Sequence, residues 1–363
     1  MDLNVLVLPG DGIGQEVTAE AVAVLHRVAE VFGHTVRATH KLVGGAAIEA
    51  AGSPLPIDTL GAALEADAVL LGAVGAPGFD HLPPAERPER GLLALRQALG
   101  TFANLRPSRA WPALVAASPL KNAIVEGTDL VIVRELTSGL YYGTPRGLSG
   151  SGGEERAVNT LSYTRAEIER VAHVAFELAR ARRRRVTSVD KANVLENSQL
   201  WRRVVGEVAA GYPDVALDHL FVDNCAMQLV LDPRRFDVVL TENLFGDILS
   251  DEAAVLSGSI GMLASASIGA RRPNGRRSGL YEPVHGSAPD IAGRGLANPL
   301  GAIGSVAAML AHTFDLRAEA RAVEAAIDHV VAAGPVTADL RPPGRPGTTA
   351  EVGRAVRDAI AAG

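Results

Sequence analysis

The chain has 363 residues, 47% of them hydrophobic, with a formal net charge of −6 and a sequence pI near 5.9. That length can bury a large core and suits two domains, while the acidic balance argues against a nucleic-acid partner. Cys225 is the only cysteine, which excludes an internal disulfide and a cysteine-based zinc site, and no apolar run reaches membrane length.

In chain order, short β-rich runs alternate with Ala/Leu/Val helices, the pattern of an α/β protein. A strand is expected at 3–8 and a helix at about 15–32. The N-terminus lacks the charged-then-apolar layout of a signal peptide, so a soluble cytoplasmic protein is expected. A strand at 67–71 and a short helix at 91–99 follow, then buried strands at 129–133, 185–189 and 236–240, with long helices at 165–182, 196–210 and 300–313. The Gly/Ser-rich stretch 143–155 reads as an extended excursion, and 269–279 as a basic, glycine-containing loop. The arginine run 180–185, broken only by Ala181, falls at a helix end and reads as a solvated cap.

The stretch Thr241-Glu242-Asn243-Leu244-Phe245-Gly246-Asp247-Ile248-Leu249-Ser250-Asp251 follows a strand and opens a helix. Asp247 and Asp251 therefore project from one face, one turn apart. Two such carboxylates suit a hard divalent cation, or are a solvated pair near a helix N-terminus, where acids are favoured. Asp223, at the end of an apolar run, is a third acid able to complete an oxygen-rich site.

Basic residues here are nearly all arginine; the lysines are Lys41, Lys121 and Lys191. Lys191 lies just past a buried strand, where ligand sites gather in α/β folds. Lysine, unlike arginine, can lose its proton when desolvated, so it reads either as a base or as a strand-end cation reaching solvent. Arg96, Arg106 and Arg134 lie near element ends, suited to bidentate capture of a dicarboxylate or to surface ion pairs. Tyr141 is a candidate proton donor or a packed core residue. The turn-rich Glu282-Pro283-Val284-His285-Gly286-Ser287-Ala288-Pro289-Asp290 offers backbone N–H groups and His285 to a dinucleotide. Gly10-Asp11-Gly12-Ile13-Gly14 lacks the G-x-G-x-x-G spacing, so a Rossmann reading is rejected.

The joint occurrence of 10–14, 102–107, 131–135, 189–194, 243–251 and 282–290 resembles the β-decarboxylating dehydrogenases, the isocitrate/isopropylmalate dehydrogenase family. The likeness runs over almost the whole chain. It implies a two-domain fold with the active site in the interdomain cleft. One domain would be residues 1–101 with 258–363, binding the cofactor; the other, 102–257, would carry dimerisation, the metal and an arm around 143–160. The resemblance also implies a homodimer with shared active sites, Lys191 and Asp223 arriving from the partner. Arg96, Arg106 and Arg134 would bind a small dicarboxylate, with Glu89, Leu92, Leu93, Asn193, Val194 and Asp223 completing the substrate contacts. Asp223, Asp247 and Asp251 would hold Mg²⁺ or Mn²⁺, and Lys191 and Tyr141 would move protons. Glu282, His285, Gly286, Ser287, Ala288, Asp290, Ile291 and Asn298 would hold NAD. Leu92 and Leu93 suit the isopropyl group of 3-isopropylmalate better than the extra carboxylate of isocitrate, whose unpaired charge costs several kcal/mol. D-malate, tartrate and homoisocitrate are rivals sharing the mechanism. The charge of Asp290 opposes a 2′-phosphate, favouring NAD over NADP; the four arginines of 271–277 would pull the other way if they stood near the ribose, but they read rather as solvated. A phosphoryl-transfer enzyme is disfavoured by the lack of G-x-x-x-x-G-K-[ST], and a non-catalytic regulatory subunit by the retention of Lys191, Tyr141 and all three aspartates.

Overall fold

The computed structural model describes residues 1–84 and 86–361. In chain order the elements are β1 (Asp2–Gly10), α1 (Gly14–Phe32), β2 (Thr35–His40), α2 (Gly45–Ala51), α3 (Ile57–Glu65), β3 (Ala68–Ala73), α4 (Pro88–Leu99), β4 (Ala103–Arg109), α5 (Asn122–Val125), β5 (Asp129–Glu135), β6 (Gly147–Ser149) and β7 (Arg156–Val158). There follow α6 (Arg165–Arg180), β8 (Arg185–Asp190), α7 (Glu196–Ala209), β9 (Ala216–Phe221), α8 (Val222–Leu231), β10 (Val238–Thr241), α9 (Asn243–Ala254), β11 (Ala264–Arg271), β12 (Arg277–Pro283), α10 (Leu300–His312), α11 (Arg317–Ala333) and α12 (Thr349–Ala359).

The chain divides into two compact units. The first comprises Met1–Thr101, Ala110–Asn122 and the chain from Ala254 onward; the second, Phe102–Arg109 and Ala123–Ala253. Residues 110–122, expected in the second, join the first: Trp111 Nε1 donates to Asp328 Oδ1 on α11 (2.9 Å), and the 3-10 turn after it packs on the same helix.

In the first unit the strand order is β2-β1-β3-β12-β11, parallel except for the antiparallel hairpin β11–β12. Strand β3 is buried at every position, as the apolar run Ala68–Ala73 requires of a parallel strand covered on both faces. Helices α1, α10, α11 and α12 pack against one another, and α12 starts with a Thr348/Glu351 capping box. The second unit orders its strands β4-β5-β10-β8-β9, with only β4 antiparallel. Its α6, set by a Thr164/Glu167 capping box, packs on β5, β8 and β10 and beside α7. The expected excursion contains the short hairpin β6–β7. The result is a mixed α/β protein with no closed barrel among the described residues. No described helix is long and apolar enough to cross a membrane.

Candidate active site

In the second unit, buried β10 delivers the chain to α9 at the C-terminal edge of the parallel strands, the edge at which such sheets present ligand sites. Glu242 accepts the Phe245 N–H (2.7 Å), occupying a donor that the first helical turn leaves open; burial pushes its carboxyl above the usual range. One turn on, Asp247 Oδ2 accepts the Tyr141 hydroxyl (2.7 Å) and its Oδ1 accepts from Arg134, with Arg106 Nη2 3.8 Å away. Arg106 Nη1 also donates to Asp251 Oδ1 (3.1 Å) and Ser250 Oγ (2.8 Å). Five expected residues, Arg106, Arg134, Tyr141, Asp247 and Asp251, thus come together in one place. Burial works to raise the Asp247 carboxyl, but the Arg134 charge, the Tyr141 bond and the Arg106 charge outweigh it, leaving it below the usual carboxylate value. The Tyr141 hydroxyl is pushed up to about 12, first by burial and then by its bond to Asp247 and that group's charge.

Lys191 and Asp223 form a second cluster. Lys191 Nζ donates to Asp223 Oδ1 at 2.5 Å, and this bond holds the Asp223 carboxyl below its ordinary value. The turn carrying Lys191 is pinned from both sides. Buried Asp190 accepts Ala192 N–H (2.9 Å) and a fork from Arg202 (2.8 and 2.9 Å), while Ser198 Oγ accepts the Lys191 N–H (3.1 Å). Asn193 and Val194 beside it are exposed. Among the described residues no group of three or more His, Cys, Asp or Glu is placed to hold a metal, so within one chain Asp223 does not join Asp247 and Asp251.

The remaining expected residues lie in the first unit. Arg96 on α4 donates to Glu282 on β12 at 2.5 Å, both side chains nearly buried. The segment after β12 is held by the glycine-rich loop after β1. Ile13 N–H donates to Ser287 O (2.8 Å), and Gly12, at φ +53°, approaches so closely that a Cβ there would lie 2.0 Å from Ser287 O. Asp11, which sequence reading passed over, organises this region: its buried carboxylate accepts Gly45 N–H (2.9 Å), Ala46 N–H (2.8 Å) and Gly75 N–H (2.9 Å). Gly75 in turn sits beside Ser287 and Glu89. His285 Nδ1 bonds Gly286 O (2.9 Å). A carbonyl only accepts, so Nδ1 carries the proton and Nε2 is an acceptor. Nε2 is buried and has no hydrogen-bond partner among the described residues, and burial holds the ring below its usual basicity. Ala288 takes a positive φ of 36°; Gly286 and Asp290 are exposed and Ile291 half-buried.

Several expectations change in detail. Asn298 commits its amide internally, donating to Asp339 Oδ2 (3.0 Å) and accepting the Leu300 N–H (3.0 Å) ahead of α10. Leu92 packs on the first unit's core beside Leu95 and Leu99; Leu93 is half-buried. The run 180–185 is a solvated cap only in part: Arg180, Arg183 and Arg184 are exposed, but Arg182 donates to Asp237 (2.8 Å) and Asp129 (2.9 Å), and Arg183 N–H to Asp237 (2.9 Å), tying the end of α6 to the starts of β5 and β10. Likewise, the 271–277 loop is the turn of the β11–β12 hairpin. Arg272 donates to Ala66 O and Ser278 Oγ (both 2.8 Å), and Arg276 pairs with Asp67. That turn lies at the start of β12 and His285 beyond its end. Seven residues of strand separate them by about 20 Å.

Arginines, a tyrosine hydroxyl and paired carboxylates on one helix thus meet at the ligand-presenting edge of an α/β fold. The chain belongs to the isocitrate/isopropylmalate dehydrogenase family, whose sequence profile matches residues 4–356. A 3-isopropylmalate dehydrogenase of Geobacillus kaustophilus is 58% identical over 341 residues, covering 94% of this chain and 91% of that protein. Another, of Halalkalibacterium halodurans, is 54% identical over 360 residues, covering 99% and 97%. The solved isocitrate dehydrogenase of Methylococcus capsulatus matches with a TM-score of 0.85 at 37% identity, covering 99% of both chains.

Proposed function

We propose that this chain catalyses the oxidative decarboxylation of (2R,3S)-3-isopropylmalate to 4-methyl-2-oxopentanoate and CO₂ in leucine biosynthesis, using NAD and Mg²⁺ or Mn²⁺, as a cytoplasmic homodimer. The observation that carries it is the α9 constellation: Asp247 bonded to Arg134 and Tyr141, with Arg106 joining it to Asp251. The identities to two proteins named 3-isopropylmalate dehydrogenase, above that to the solved isocitrate dehydrogenase, favour this substrate over isocitrate.

The donor chemistry fits a hard cation. Asp247 and Asp251 present carboxylate oxygens one turn apart, and Asp251 and Asp223 are largely exposed. Asp223 of a second protomer would complete the set. On α8, the spacing Asp223, Met227, Val230, Leu231 puts the acid and three exposed apolar side chains along one side, as an interface helix requires. The buried acceptor of His285 fits the adenosine half of NAD through an exocyclic amine. The arginines of 271–277 stand at the other end of β12, which leaves the Asp290 charge to disfavour a 2′-phosphate.

A cation held by Asp247, Asp251 and a second protomer's Asp223 would supply Lewis acidity toward the substrate hydroxyl, and NAD held by the segment 282–291 would supply the hydride acceptor. Arg96, Arg106 and Arg134 receive the two carboxylates, and Glu282 holds the Arg96 guanidinium in place. Lys191 takes the hydroxyl proton, a role that the guanidinium of arginine cannot fill. After CO₂ departs, the Tyr141 hydroxyl delivers a proton to carbon; its high pKa keeps that proton in place until carbanion character develops. Turnover of isopropylmalate, isocitrate, D-malate, tartrate and homoisocitrate with NAD and Mn²⁺ tests the assignment. Isopropylmalate should give the highest kcat/KM; equal or better turnover of another acid refutes it.

A further inference from the structure

Asn243 opens α9 and is fully buried, yet it carries none of the assigned chemistry. Its side chain touches two parts of the site at once. Arg134 Nε donates to Asn243 Oδ1 (2.9 Å), and Asn243 Nδ2 donates to Ser138 O (2.9 Å) and Leu136 O (3.3 Å). The amide can sit only one way round, because a guanidinium only donates and backbone carbonyls only accept. The backbone N–H of Asn243 donates to Tyr163 Oη (3.0 Å), and that ring packs edge-on against Trp201 at 5.6 Å, anchoring the residue to the core. One amide therefore joins Arg134, at the end of β5, to the loop 136–138 that leads into Tyr141.

Three residues later, Gly246 meets the stem of the same arginine. A Cβ at Gly246 would lie 2.6 Å from Arg134 Cγ, 2.7 Å from its Cβ and 3.1 Å from its Cδ. The clashing atoms sit close to the backbone, so the arginine cannot swing aside as a flexible tip would. Residues 243, 246 and 247 share one helical face. That face offers, in order, an amide to Arg134 Nε, a groove for its stem and a carboxylate to its Nη1.

We propose that Asn243 and Gly246 are positioning residues for the reaction. Asn243 fixes the Tyr141 loop against Arg134 through the two ends of one amide, and Gly246 seats the Arg134 stem. This rests on the assignment of Arg134 to substrate binding and Tyr141 to proton delivery. The two substitutions then have different signatures. Asn243→Asp keeps an acceptor toward Arg134 but turns oxygen toward two carbonyl oxygens, releasing the Tyr141 side alone. Gly246→Ala displaces Arg134 and leaves the amide's contacts with the loop.

The test compares both variants, Tyr141→Phe and the double variant Asn243→Asp/Tyr141→Phe in the full-length protein. KM and kcat are measured with isopropylmalate, and isopropylmalate affinity independently by calorimetry. Folding is checked by Trp201 fluorescence in a Trp111→Phe background. Asn243→Asp should lower kcat by about 10²-fold, the scale of a misplaced reacting group, with affinity within about threefold of wild type. On the Tyr141→Phe background the same change should lower kcat no further, since coupled residues are non-additive. Gly246→Ala should weaken affinity by about tenfold, the loss of one charge-assisted contact, and supplies an independent arm if Asn243→Asp does not fold. Wild-type values in both variants, or a full additional kcat loss in the double variant, overturn the inference while leaving the function intact. Absence of wild-type turnover on isopropylmalate overturns the function and this inference together.

Discussion

Replacing Asp11 tests whether the glycine-rich loop after β1 is a scaffold for the cofactor segment. Asp11 is 7% exposed and its carboxylate accepts three backbone N–H groups, two on Oδ2 (Gly45, Gly75) and one on Oδ1 (Ala46). Asp11→Ala strands all three donors. A buried donor left unpaired costs about 1–3 kcal/mol; Gly45 is buried, while Ala46 and Gly75 are half-exposed and regain water. The expected loss is roughly 2–5 kcal/mol, a large part of a typical domain's stability. Asp11→Asn can keep its oxygen on Gly45 and Gly75 and loses only the half-exposed Ala46 bond, about 1 kcal/mol. The chain's two tryptophans separate the units, Trp111 lying in the first and Trp201 in the second. Urea unfolding in a Trp201→Phe background therefore reads the first unit through Trp111. Asp11→Ala should shift its midpoint well below that of Asp11→Asn, and both should raise the NAD KM more than the isopropylmalate KM. Equal midpoints for Ala and Asn, or an unchanged NAD KM in Asp11→Ala, refute the scaffold role.

Lys191→Arg should retain isopropylmalate binding but lower kcat by about 10²–10⁴-fold, the range of general-base catalysis; near-normal kcat would remove the lysine from that role. Asp247→Asn should shift the Mn²⁺ titration of activity to higher concentration, and EDTA should abolish NADH production reversibly; an unchanged titration counts against metal ligation by Asp247. His312, at the end of α10, is held down to about 4 by burial and then by the charges of Arg277 and Arg317. Its folded value lies below the unfolded one, so the unfolded chain binds the extra proton. Its contribution to stability is complete above about pH 6.5 and is lost as pH falls toward 4. His312→Phe should flatten that part of the Trp111-monitored profile, and an unaltered slope would exclude the histidine as its source.

Local spacing made part of the site legible. Asp247 and Asp251 declare themselves by a four-residue interval after a buried strand, and Lys191 by standing among arginines. What stayed hidden depends on long-range pairing. Arg96 meets Glu282 across 186 positions, and no local pattern marks either as the other's partner. Asp11 lay inside a motif weighed as a dinucleotide signature and as a mark of the family, neither of which gave it a role of its own, whereas its partners come from the start of α2 and the loop after β3. Strand β11 was missed because Ala-Ser-Ala-Ser-Ile-Gly-Ala-Arg carries small or polar residues in place of β-branched ones. The 271–277 arginines could be read either as solvated or as a cofactor-side charge because the hairpin that carries them to the far end of β12 was not recognised as one.

The most direct test of the oxidative decarboxylation assignment is product analysis on the purified protein with (2R,3S)-3-isopropylmalate, NAD and Mn²⁺. Equimolar NADH, CO₂ and 4-methyl-2-oxopentanoate, all absent when EDTA is added, are the predicted result. NADH without CO₂, or no product from isopropylmalate beside brisk turnover of isocitrate, contradicts it.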